Sequence, residues 1–175
     1  MNALKTVLSV DSLAALYLDS LQSILALAAR WYVGWQFFKS GLLKVAAWDT
    51  TLSLFTDEYH VPLLSPRAAA IAGTAGELMF PVLLGLGLSS RIGALGVFAV
   101  NAMAVVSYRH VLFAEGYEAA LAQHVLWGSI AAYLLVHGPG RWSLDGWFRR
   151  GAAPAGGPDQ HGRRAFDTSR HPPAT

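Results

Sequence analysis

The stretch RAAAIAGTAGELMFPVLLGLGLSSR, Arg67 to Arg91, decides the class of this chain. Between its two arginines lie about 23 residues, mostly Ala, Gly, Leu and Val, enough to cross the roughly 30 Å hydrocarbon layer as a helix. One carboxylate, Glu77, sits near the middle. An ionised group at that depth costs on the order of 2.5 to 3.5 kcal/mol, so it must face other helices or a wet cavity and find a partner. Four residues later Pro81 withholds its own N–H from the Glu77 carbonyl, which predicts a bend at the charged turn.

Composition agrees with a membrane protein. Of 175 residues 54% are hydrophobic and only 14% charged, with a mean hydropathy of +0.38, against about a quarter charged in soluble domains. The formal charge of +2 comes from a basic tail holding Arg141, Arg149, Arg150, Arg163, Arg164 and Arg170. No aromatic residues interleave with those arginines in a folded pattern, so nucleic acid is not an expected partner. The absence of cysteine excludes disulfides, thiolate metal sites and a dithiol relay.

Working outward gives four expected spans. Residues 1–20 carry Lys5, Asp11 and Asp19 among leucines and read as a retained N-terminal segment, in the form of an interfacial helix. The first span, Leu21 to Val45, is the most polar. Arg30, Gly34, Phe37, Gly41 and Lys44 share one helical face that should point inward, with Lys44 and Lys39 able to snorkel and Arg30 too deep to do so. Residues 46–66, with Trp48, Asp49, Asp57, Glu58, Tyr59, His60, Pro62 and Pro66, read as a loop at the headgroups. The second span is the opening stretch. Ser89, Ser90 and Arg91 leave room only for a tight turn into the third, Ile92 to Tyr108, whose strongly polar member is Asn101. After a loop holding Arg109, His110, Glu115 and Glu118, the fourth runs from Ala119 to His137, carries His124 and Trp127, and stops at Gly138-Pro139-Gly140. From 148 onward Gly, Pro, Ala and Arg predict a disordered tail.

Four spans put both termini on one side. That side holds eight Lys and Arg (Lys5, Arg91, Arg141, Arg149, Arg150, Arg163, Arg164, Arg170), and the other holds four (Lys39, Lys44, Arg67, Arg109). The positive-inside rule then places both termini in the cytoplasm. Counting about 1.5 Å per residue from that side puts Arg30, Asn101 and Glu77 at about 13, 15 and 16 Å. The expectation is a buried Arg30–Glu77 pair with Asn101 in the same layer. That layer reads either as glue that fixes helix register or as a pocket for a quinone or other head group and its proton. His60, His110 and His124, with Glu115, are weak candidates for a divalent metal, because their spacing matches no ligand motif.

Together these residues resemble the DoxX family of small four-helix bacterial membrane proteins. The likeness rests on Arg30, Gly34, Phe38, Gly41 and Lys44, then Gly76, Glu77 and Pro81 through Leu84, Gly85, Leu86 and Arg91, and last Gly138 to Asp145. It covers about residues 21–147. The resemblance implies an all-α integral membrane four-helix bundle, antiparallel, in the bacterial inner membrane. It also implies a link to redox partners, the family name deriving from a thiosulfate:quinone oxidoreductase subunit. On this reading the chain is the quinone-interacting membrane subunit of a redox system, with Glu77 and Arg30 as proton and quinone site and Asn101, Lys44, Phe38 and Pro81 in contact with the substrate. No cofactor is bound covalently, and the partners are the lipid bilayer and a redox or other membrane protein. The competing expectations are a non-catalytic anchor or scaffold, and a small-solute or metal-handling membrane protein.

Overall fold

The structure, a computed structural model, describes residues 2–151, and their side chains apart from those at 2–17, 19 and 149. The described residues form helices and no strand: α1 (Asn2–Ala46), α2 (Trp48–Asp57), α3 (Pro66–Leu86), α4 (Ser90–Ser107), α5 (Arg109–Leu112), α6 (Glu118–His137) and α7 (Leu144–Gly151). The tail beyond 151, with Arg163, Arg164 and Arg170, lies outside the described residues. The boundary expected near residue 20 is not marked by a break, since α1 is one helix of 45 residues.

Among the described residues three helices, α3, α4 and α6, are long and apolar enough to cross a membrane, with 21, 18 and 20 residues. At about 1.5 Å per residue they measure about 27 to 32 Å, the thickness of the hydrocarbon layer. Their outward faces are apolar: Ile71, Met79, Val82, Ile92, Leu95, Val125 and Val136 are all exposed. In water such faces would drive aggregation; in lipid they are the required surface.

Local chemistry sets the helix ends. Ser65 accepts a hydrogen bond from the Ala68 N–H, and Pro66 takes the first helical position, where no N–H is needed. The helix continues through Pro81 to Leu86, where Gly87 closes it in the left-handed conformation at φ +71°. Two expected loops contain helix instead. In 46–66, Thr51 and Phe55 fall one turn apart and are both buried, Phe55 against Ala69 and Ala70, which makes α2 an amphipathic cover for the start of α3. In the loop after α4, α5 adds one further helical turn.

α1 packs on α3, α3 on α4 and α4 on α6, with α6 also touching α1. Arg30 lies at Gly87, Gly34 at Pro81 and Gly41 at Glu77 and Leu78, so α1 and α3 run in opposite directions. Between α3 and α4 the close approach depends on Gly96, where a Cβ would collide with the Phe80 ring. The centre is filled by Val33, Phe37, Leu84, Ala94, Val97, Ala131 and Leu134.

One end of the assembly is tied by the segment after α6. The Asp145 carboxylate accepts from the backbone N–H groups of Ser89 and Ser90, each at 2.8 Å, and so caps α4 from 55 residues away in sequence. The Asp145 N–H in turn donates to the Gly87 carbonyl at 2.9 Å. Ser89 itself stands at φ +46° and supplies no side-chain cap. Replacing Asp145 by Ala should therefore lower stability by about 1 to 2 kcal/mol, the usual worth of a helix cap, read as a fall in the thermal unfolding midpoint of the detergent-solubilised chain; an unchanged midpoint contradicts the capping role.

Candidate functional site

Glu77 faces α1 because Gly41 has no side chain: a Cβ there would lie 3.1 Å from the Glu77 Cβ. One turn further along α1, Lys44 meets the carboxylate. Its Nζ donates to Glu77 Oε1 and Oε2 at 2.8 and 2.7 Å and to Ser40 Oγ at 2.9 Å, which engages all three ammonium hydrogens. The pair is largely withdrawn from solvent, with side-chain exposures of 16% for Lys44 and 11% for Glu77. Thr51 Oγ1 donates to the Lys44 carbonyl at 3.0 Å, tying α2 to the end of α1.

The expected Arg30–Glu77 pair is not formed. Arg30 is 1% exposed and lies against Gly87, where its Nη2 donates to the Trp142 carbonyl. Gly87 ends α3, and Glu77 stands ten residues earlier, so about 15 Å of helix separates the two levels. The depth count assumed that the first span begins at Leu21 and that a buried guanidinium requires a carboxylate. Instead α1 extends past that point, the Trp142 carbonyl accepts a hydrogen bond from the guanidinium, and the carboxylate whose charge acts on it is Asp145.

Asn101 belongs to neither group. Its Nδ2 donates to the His124 carbonyl and its Oδ1 meets His124 Nδ1, both at 2.9 Å. Because a carbonyl can only accept, the amide orientation is settled, and the imidazole must present Nδ1–H to Oδ1 and leave its Nε2 lone pair available. Gly128 gives the amide its room, since a Cβ there would lie 3.0 Å from Nδ2. The single expected polar layer is thus three separate contacts: α1 with α3, α1 with the segment after α6, and α4 with α6.

Two of these contacts border one cavity of about 770 Å³ between α1, α3, α4 and α6, beneath α2. Its wall includes Lys44 and Glu77 on one side and His124 and Trp127 on the other, with Tyr59, Tyr108 and Ser107 toward the α2 end; the rest is mainly apolar. The Trp127 indole N–H is buried and has no hydrogen-bond partner. Burial, then its ionisable neighbours Tyr108, Glu77 and Glu58, push the Tyr59 hydroxyl above its ordinary value, so it remains a neutral donor. Tyr59, Tyr108 and Trp127 were not singled out from sequence as site residues; Tyr59 and Tyr108 lie near span ends, where aromatic residues read first as interfacial anchors.

Phe38 and Pro81 line a second, smaller cavity of about 230 Å³, together with Arg30, Trp31, Gly34 and Trp35. The histidines do not gather. His60 and His110 are ring neighbours at 5.0 Å, His124 is held by Asn101, and among the described residues no group of three or more His, Asp and Glu could hold a metal ion.

With this geometry in place, comparison with protein-family models gives a match to the DoxX family over residues 25–110. The chain carries a DoxX domain. That domain contains Arg30, Lys44, Glu77 and Asn101, whereas His124 and the Asp145 cap lie beyond the matched range. Neither the curated proteins nor the solved structures yielded a match. The DoxX domain together with the apolar helices makes this an integral membrane protein in contact with the lipid bilayer.

Removing one member of a withdrawn ion pair strands the other charge, at a typical cost of about 3 to 5 kcal/mol. Lys44→Met and Glu77→Leu should each lower the unfolding midpoint strongly, and the double variant should be more stable than either. A double variant that shows simple additivity would contradict the pairing.

Proposed function

We propose that this DoxX protein is the quinone-interacting membrane subunit of a redox system, and that quinone binds in the cavity bordered by the Lys44–Glu77 pair. The observation that carries the reading is the cavity's chemistry. A mainly apolar chamber is lined by Trp127, whose buried indole N–H has no partner, by the neutral Tyr59 hydroxyl and by the Lys44–Glu77 ion pair. A quinone head needs an apolar slot for its ring and donors at its carbonyl oxygens, and this set meets both needs.

When bound, quinone would supply the electron-accepting chemistry. This chain's residues would orient it and manage protons. Trp127 Nε1 donates toward a carbonyl oxygen, and the Nε2 lone pair of His124 is kept available by the bond at Nδ1. Lys44 has no hydrogen to spare while Glu77 is ionised. A proton arriving on Glu77 weakens that grip and frees an ammonium N–H for the ligand. Electrons would come from a partner protein, because a chain without cysteine has no dithiol to carry them.

In this reading α1 joins α3, α4 and α6 as the fourth span of an antiparallel bundle in the bacterial inner membrane. Its inward face is closed by Val33 and Phe37, and its outward Trp31, Trp35, Leu42 and Leu43 suit lipid. The Asp145 cap keeps Arg91 and Arg141 at the same end, which favours a cytoplasmic position for that end and both termini.

The test is equilibrium binding of a short-chain ubiquinone to the purified chain in detergent. Trp127→Phe should weaken binding about tenfold, as expected for the loss of one good hydrogen bond in a dry site, whereas Glu77→Gln, which releases a Lys44 N–H to the ligand, should leave binding intact or strengthen it. Unchanged affinity in Trp127→Phe together with a loss in Glu77→Gln would remove this binding mode from the function and leave the anchor or scaffold reading.

A further inference from the structure

A third cavity, of about 570 Å³, opens beside the end of α4 and shares only Ser107 with the cavity of the reading above. It is lined by His60, Pro62, Val106, Ser107, Arg109 and His110. Backbone geometry gathers these residues from two segments. The His60 N–H donates to the Ser107 carbonyl at 3.0 Å, which pins the segment after α2 to the last turn of α4, while α5 starts directly beyond and presents Arg109 and His110. The two imidazoles meet edge to face at 5.0 Å, and Tyr108 backs His110 at 5.4 Å. Ser107 is 4% exposed, and its hydroxyl has no hydrogen-bond partner although the residue forms part of the wall.

The signs of these groups select the ligand. Every ionisable side chain on the wall is a guanidinium or an imidazole, and no carboxylate lines it. A cation would face Arg109 without compensation, whereas an anion would be met by a permanent positive charge, two imidazole N–H groups and a spare hydroxyl. We propose that this chamber binds a phosphate group, as a phosphodiester headgroup of an anionic lipid or as free phosphate. Its place fits either source. α4 is apolar as far as Ser107, so Arg109 and His110 stand where a span meets the headgroups, and Val106 and Pro62 offer apolar wall beside the charge.

The test uses the full chain in detergent micelles doped with equal amounts of phosphatidylglycerol and phosphatidylcholine, with retained lipid counted by native mass spectrometry. In parallel, inorganic phosphate alone is followed by phosphorus line broadening. The double variant Arg109→Gln/His110→Gln changes exposed side chains only, so the fold is kept. Arg91→Gln, at the other end of α4, controls for net charge. The expected result is preferential retention of one anion source by the native chain, reduced about tenfold in the double variant and unchanged in Arg91→Gln. Retention of phosphatidylglycerol without phosphate broadening assigns a lipid headgroup, and phosphate broadening assigns a free anion. Equal retention of both lipids with no phosphate broadening, or equal losses in both variants, would overturn the site.

Discussion

The arrangement of α1 against α3 depends on one ion pair placed where lipid would otherwise surround it. A carboxylate in an apolar span cannot stay ionised without a partner, and Lys44 provides one by spending all three of its hydrogens on Glu77 and Ser40. The contact is available only because Gly41 lets the α3 backbone come within reach. Gly34 opposite Pro81 continues the same close approach. From that seam the rest follows: α4 lies on the far side of α3 through Gly93 and Gly96, and α6 closes the ring through the Asn101–His124 contact.

The two ends of the molecule are built differently. At the α3–α4 turn, polar groups are matched to backbone: Arg30 to the Trp142 carbonyl, Asp145 to the Ser89 and Ser90 N–H groups, and Ser143 Oγ to the Gly140 carbonyl and the Gly146 N–H. Such contacts fix geometry and leave little room. Toward the other end the helices part around a large cavity, and there the unpaired polar atoms of Trp127 and Ser107 remain. Buried donors without partners remain at both ends, since Arg30 Nε and Nη1 and Ser90 Oγ also lack one, so it is the large cavity that sets the far end apart as the place for a ligand.

The sequence was most legible where apolar length and punctuation coincide. Pro66 and Gly87 bound α3 within a few residues of the expected span, and Gly138 ends α6 as expected. α2 was hidden because its apolar face is short, and its aromatic and acidic residues look like an interfacial loop until Ala69 and Ala70 are seen beneath Phe55. The partner of Arg30 was illegible for a deeper reason. Its acceptor is a main-chain carbonyl more than a hundred residues away, and a carbonyl carries no residue signature. Lys44 was recognised as inward-facing, but its proximity to the span end favoured snorkelling over the turn toward Glu77 that Gly41 permits. The DoxX resemblance was legible from the order of Arg30, Gly41, Lys44, Glu77 and Pro81, all within the matched range 25–110.

The central claim is the register that brings Glu77 to Gly41 and Lys44 and keeps it away from Arg30. Since the native chain has no cysteine, paired cysteine substitutions report that register without background. A Cβ at position 41 would stand 3.1 Å from that of residue 77, close to the roughly 3.5 to 4.5 Å of a disulfide. Under mild oxidation in native membranes the Gly41→Cys/Glu77→Cys variant should cross-link, and the Arg30→Cys/Glu77→Cys variant should not. The reverse pattern would contradict the account.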